Sequence, residues 1–189
     1  RRAAGGAAEL RLKDWSMVVF AYAKARHPTV APLFAAAAGA IATMVEEATP
    51  QALATMVWAF AERNQRDLAL FDAAAGAAHR MLTDQGQEGR PSAQDVAQVA
   101  WAYAVVGDDA LRGRGLRLDM FEDGTFADAV SRLNPEELTD EDAGQLLQWR
   151  MWWYEGGMRR VSQEPSARDE AAVWRRCADL GAAARGRPS

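Results

Sequence analysis

The sequence predicts an all-α chain, a short α-solenoid of antiparallel helix pairs, on three observations. The phrase Phe20-Ala-Tyr-Ala23 returns as Trp58-Ala-Phe-Ala61 and Trp101-Ala-Tyr-Ala104, at spacings of 38 and 43 residues, a period typical of stacked helical repeats. A second block, Leu33-Phe34 through Gly39-Ala40 to Met44, lines up with Leu70-Phe71 through Gly76-Ala77 to Met81, so each unit holds two helices. Alanine is abundant and β-branched residues are few, which favours helix and lets neighbouring helices approach closely.

Along the chain, residues 1–9 read as a linker or the remainder of a targeting segment. A repeat array is expected over 10–160, in units 10–48, 49–90 and 91–133 with a closing helix over 134–160, followed by a C-terminal helix and tail over 161–189. Thr29 is placed to cap the second helix of unit one. Thr49 before Pro50 marks an N-cap with proline in the first turn, where its missing N–H costs nothing. Residues 84–90, with two glycines, read as a loop, and Ser92 with Asp95 three residues on reads as a capping box. Asn134-Pro135-Glu136-Glu137 repeats the Thr-Pro logic and opens the closing helix.

The chain is 49% apolar, enough for a sizeable core. No apolar run reaches the roughly 18 to 20 residues that a membrane span needs, so a soluble protein without a membrane span is expected. Its single cysteine, Cys177, excludes an internal disulfide framework and a multi-cysteine zinc site. Trp58 and Trp101 occupy the repeat's packing slot. Trp101→Ala is expected to cost about 3 to 5 kcal/mol.

The repeat spacing, the Trp/Phe-Ala-Phe/Tyr-Ala phrase and the Leu-Phe block over residues 10–160 resemble octotricopeptide-type repeats and the related FAST-kinase-like arrays that precede an RAP domain. The stretch Leu138 to Trp152 resembles the helix that closes such arrays. The resemblance implies non-enzymatic work on RNA inside a mitochondrion or plastid: transcript processing, translation control, or a place in an organellar ribosome, with organellar or ribosomal RNA as partner.

In each first helix, the positions seven before, three before and four after the aromatic slot are less apolar than the rest. They fall within about 40° of one another at 100° per residue. The stripe reads Lys13, Met17, Lys24, then Gln51, Thr55, Glu62, then Gln94, Gln98, Val105, and on the closing helix Glu141, Gln145, Trp152. Glutamine and threonine offer the donors and acceptors that read base edges of single-stranded RNA. The same stripe also fits the one solvated edge that a helix flanked on three sides retains.

Charge speaks against a strongly basic face. Residues 1–118 hold 13 Lys/Arg against 12 Asp/Glu, and residues 119–189 hold 9 against 14, whereas phosphate neutralisation supplies most nonspecific affinity. One local cluster, Arg112, Arg114 and Arg117, reads either as a phosphate clamp or as a solvated loop.

The acidic stretch from Asp119 to Asp142 lacks the alternating ligands of a calcium loop. Acids there suit a helix N-terminus instead. Neither His27 nor His79 stands in a nucleophile-pair spacing to Cys177, and no phosphate-cradling Gly-Lys-Ser/Thr loop occurs. No catalytic residue, metal or cofactor is therefore expected.

Trp149, Trp152 and Trp153 fall within five residues. Because successive positions turn by about 100°, at least one is expected to be exposed or to lie under a partner. That makes the three a docking candidate for another subunit of a large organellar assembly, unless the C-terminal helix caps them. The second expected class is accordingly a protein scaffold within a ribosome or a photosynthetic or respiratory complex.

Overall fold

The structure, a computed structural model, describes residues 10–84, 89–107, 118–155 and 172–185, and among them all regular structure is helical. The expected first helices form as α1 (Leu12–Lys24), α3 (Pro50–Glu62) and α5 (Ala93–Val106). The second helices of units one and two form as α2 (Ala31–Met44) and α4 (Leu68–Thr83). In unit three the second helix is broken into α6 (Asp119–Glu122) and α7 (Thr125–Ser131). Gly124, at φ 84°, takes the left-handed conformation that stops the first of these. The closing helix α8 (Asp140–Arg150) widens into a π turn, Met151–Glu155, and α9 (Ala172–Arg185) follows.

Two of the expected caps form. The Thr49 hydroxyl accepts from the Ala52 N–H at 3.2 Å. The Ser92 hydroxyl accepts from the Asp95 N–H at 3.2 Å while the Asp95 carboxylate accepts from the Ser92 N–H at 2.9 Å. Two other cap readings are corrected. Thr29 caps nothing: the N-cap of α2 is Val30, without a side-chain bond, because Pro32, three residues after Thr29, has no N–H to give. Asn134 accepts from the Glu136 N–H at 3.2 Å but opens only a 3₁₀ turn, Pro135–Glu137. Helix α8 starts at a second capping box, Thr139 with Asp142, whose two bonds measure 3.1 and 3.0 Å.

The helices lie in two rows. Helices α1, α3, α5, α8 and α9 each pack on the next in that order, while α4 packs between α2 on one side and α6 with α7 on the other. Aromatic rings tie one row to the other. Phe60 of α3 meets Phe34 of α2 edge-on at 4.8 Å, and Tyr103 of α5 meets Phe71 of α4 edge-on at 5.4 Å. Within the first row the repeat slot forms a ladder, with Phe20 5.7 Å from Trp58 and Trp58 stacked 6.3 Å from Trp101.

The hydroxyl of Tyr103, fully buried, donates to the Phe71 carbonyl at 2.6 Å. Burial pushes its phenol far above the ordinary value, and the nearby Asp72 carboxylate adds to the shift. The folded state thus holds this proton more tightly than the unfolded chain does. That contribution is complete at neutral pH and is lost as pH rises past about 10, the ordinary phenol value. Urea melts at increasing alkaline pH should show a falling stability limb that is shallower in Tyr103→Phe. At neutral pH the variant should be weaker by about 1 kcal/mol for the lost hydrogen bond.

Candidate functional site

No helix among the described residues is long and apolar enough to cross a membrane. A groove of about 590 Å³ runs across α1, α3 and α5 near their N-terminal ends. It brings together Lys13 and Met17 of α1, Gln51 and Thr55 of α3, and Gln94 and Gln98 of α5. These are the first two positions of the repeat stripe in three successive units. Because equivalent helices pack side by side, equal register along each helix becomes a line across the row.

The groove differs in character along its length. Its α1 end carries exposed Lys13 with two exposed apolar side chains, Met17 at 62% and Phe20 at 37%. The α3 and α5 portion carries amides and a hydroxyl, and no described residue hydrogen-bonds to the side chains of Gln51, Thr55, Gln94 or Gln98. Exposed Glu47 stands at the rim. The Asp95 carboxylate also borders the groove but is engaged with the backbone N–H and hydroxyl of Ser92, at 2.9 and 2.8 Å.

The third stripe position leaves the groove. The Lys24 ammonium sits 4.7 Å above the Trp58 ring and 5.7 Å from Phe20, Glu62 faces Arg26 at 3.8 Å, and Val105 is half-buried against the core. The stripe also ends before α8. Gln145 is buried and contacts Glu141 at 3.4 Å. Arg112, Arg114 and Arg117 lie outside the described residues. Phe20 is the groove residue that sequence reasoning missed. Its slot is that of buried Trp58, and only the smaller ring in unit one hints at a different surrounding.

Of the two outcomes expected for Trp149, Trp152 and Trp153, a partner or a cap by the C-terminal helix, the structure shows the cap. Trp149 and Trp153 are 1% and 3% exposed, and Trp152 packs half-buried against the core. Positions i, i+3 and i+4 share one helix face, so the three rings converge where the expectation had them diverge. They gather round Phe121, with ring centroids 5.4 to 5.9 Å from it. Trp174 of α9 then stacks on Trp149 at 6.2 Å with the planes 14° apart. The chain's own last helix is the cap.

Two other reactive-looking groups are accounted for by packing. Cys177 is buried on the inner face of α9, and burial pushes its thiol up to about 11 although the Arg150 charge pulls the other way. At neutral pH such a thiol is protonated and a poor nucleophile. His79 Nε2 lies 2.9 Å from the Asp123 carboxylate and 3.4 Å from the Thr125 hydroxyl. A hydroxyl-activating relay needs the acid on one ring nitrogen and the hydroxyl on the other, and here both share Nε2. Among the described residues no three His, Cys, Asp or Glu side chains gather in a metal-binding group.

Scans of the chain against protein-family models, curated proteins and solved structures return no match.

Proposed function

We propose that the chain is a short α-solenoid of antiparallel helix pairs that acts as a non-enzymatic binding module for single-stranded RNA, working in a mitochondrion or plastid. One observation carries the reading: the same two repeat positions of three successive helices open into one groove, and their amide and hydroxyl groups have no described partner. Spaced hydrogen-bonding groups across parallel helices suit an extended strand, with a base resting on Phe20 and Met17 and a phosphate on Lys13.

The electrostatics set the kind of binding. Lys13 is the groove's cation, Lys24 stands beyond its edge over the rings, and Glu47 opposes them. One or two neutralised phosphates give a salt slope of only about −0.7 to −1.4 for a single strand. Affinity therefore rests on amides and stacking. Fluorescence anisotropy with labelled single-stranded RNA of mixed sequence should show binding that salt weakens only slightly. Gln94→Ala with Gln98→Ala should weaken it roughly tenfold, the worth of one or two hydrogen bonds, at an unchanged melting temperature. Equal affinity in the double variant removes the groove from the reading.

A protein scaffold within a large organellar assembly is the second reading. It is favoured by the apolar exposure on and just before α1, where Leu10, Met17, Phe20 and Tyr22 are all more than a third exposed. Sedimentation of the native particle with and without ribonuclease separates the two. A particle that ribonuclease leaves intact, with no RNA crosslinked to the groove, supports the scaffold.

A further inference from the structure

Building on the groove reading above, we infer that a strand lying in the groove leaves it over Thr49 and sets its next phosphates on Arg90 and Arg132, at a second site between the ends of α4, α5 and α7. Thr49, the N-cap of α3, borders the groove and also a hollow of about 250 Å³ that reaches Arg90. Arg90 in turn borders a hollow of about 180 Å³ whose lining includes Arg132. Met81 of α4 and its C-cap Asp84 line both hollows. One concave track thus runs from Lys13 to Arg132, with the amides of Gln51, Gln94 and Gln98 between its cationic ends.

Both arginines are anchored at the backbone. Arg90 follows Gly89, held at a φ of 84° that glycine adopts readily, and comes two residues before the capping box of α5. Arg132 is the C-cap of α7, and its N–H donates to the Ala129 carbonyl at 3.2 Å. Their side chains are exposed, and among the described residues neither guanidinium has an ion pair or a hydrogen bond. Other guanidinia of the chain face a carboxylate: Arg11 meets Asp14 at 3.8 Å, Arg26 meets Glu62 at 3.8 Å, and Arg80 meets Glu46.

The local charge is what a polyanion needs. In the hollow of Arg90 and Arg132 the one lining carboxylate is Asp84, so two cations stand against one acid. The groove sets Lys13 alone against Glu47 and Asp95. A guanidinium takes phosphate oxygens two at a time, and the apolar lining beneath, Leu82, Val96 and Leu133, offers a surface to a sugar.

Fluorescence anisotropy with RNA strands of about 4 and about 16 nucleotides, the range of site sizes of small single-strand binding modules, tests the path. The short strand is expected to keep the shallow salt slope of the groove. The long strand should be steeper by about 1.4, two further phosphates at about 0.7 each. Arg90→Gln with Arg132→Gln should remove that excess and weaken the long strand about tenfold near physiological salt, leaving the short strand and the melting temperature unchanged. Arg90→Lys with Arg132→Lys should retain the slope, because counterion release follows charge. A long strand no steeper than the short one overturns the arginine site. So does a slope that the double arginine variant leaves intact while Gln94→Ala with Gln98→Ala still weakens binding, a result that keeps the groove. Strands of both lengths indifferent to the Gln94 and Gln98 substitutions overturn the groove reading and the path with it.

Discussion

Replacing Trp149 with alanine is expected to lower the unfolding free energy by about 3 to 5 kcal/mol, the range for deleting a fully buried aromatic ring. The residue is 1% exposed and its ring meets three others, Phe121 at 5.8 Å, Phe126 at 4.9 Å and Trp174 at 6.2 Å. Neighbours drawn from α6, α7 and α9 cannot collapse together into the space, because each is held by its own helix. The loss should also release α9, whose Trp174 would have no ring to stack on and whose Arg150 contact, 4.9 Å from the same indole, would loosen. Urea unfolding measures the energy, and the rate at which Cys177 reacts with a thiol reagent reports the release. A small energetic loss with Cys177 still protected would show that α9 is held by something other than this stack.

Phe71→Ala is expected to cost a similar amount, about 3 to 5 kcal/mol. Phe71 is fully buried and its ring supports Tyr103, which in turn leans on Phe121 at 5.5 Å. Deleting it opens a cavity on the line that joins α4, α5 and α6. The comparison that makes the result informative is Trp101→Ala. Sequence reasoning gave that substitution the same large cost, but Trp101 is half-exposed at the end of the ladder from Trp58. It should cost clearly less than Phe71→Ala, since part of its ring is already in water. Equal losses in thermal or urea melts would place the repeat's main energetic contact in the ladder and not between the rows.

The repeat phrase made α1, α3 and α5 legible, since apolar periodicity and the capping residues Thr49 and Ser92 agree on where those helices begin. Register within the repeat also found the groove: Lys13, Met17, Gln51, Thr55, Gln94 and Gln98 line it as aligned. What failed depended on neighbours in space. Gln145 holds the same repeat position as Gln98, yet it is buried where Gln98 is only half-buried. Phe20 holds the slot of Trp58, yet it is exposed because, among the described residues, α1 has a first-row neighbour, α3, on one side alone. Two errors were avoidable from the residues alone. Thr139 with Asp142 carries the same box as Ser92 with Asp95, and the spacing of the three tryptophans is that of a single helix face.

The two ends of the row are chemically unlike, and this governs how such a molecule can multiply. Head-to-tail growth into a filament requires every subunit to offer both a giving and a receiving face. Here the face of α8 that would give is consumed by α9 through Trp149 and Trp174, while α1 still presents Tyr22. The two faces therefore differ in what they leave to water: one is sealed by the chain's own helix, while the other keeps Tyr22 39% exposed.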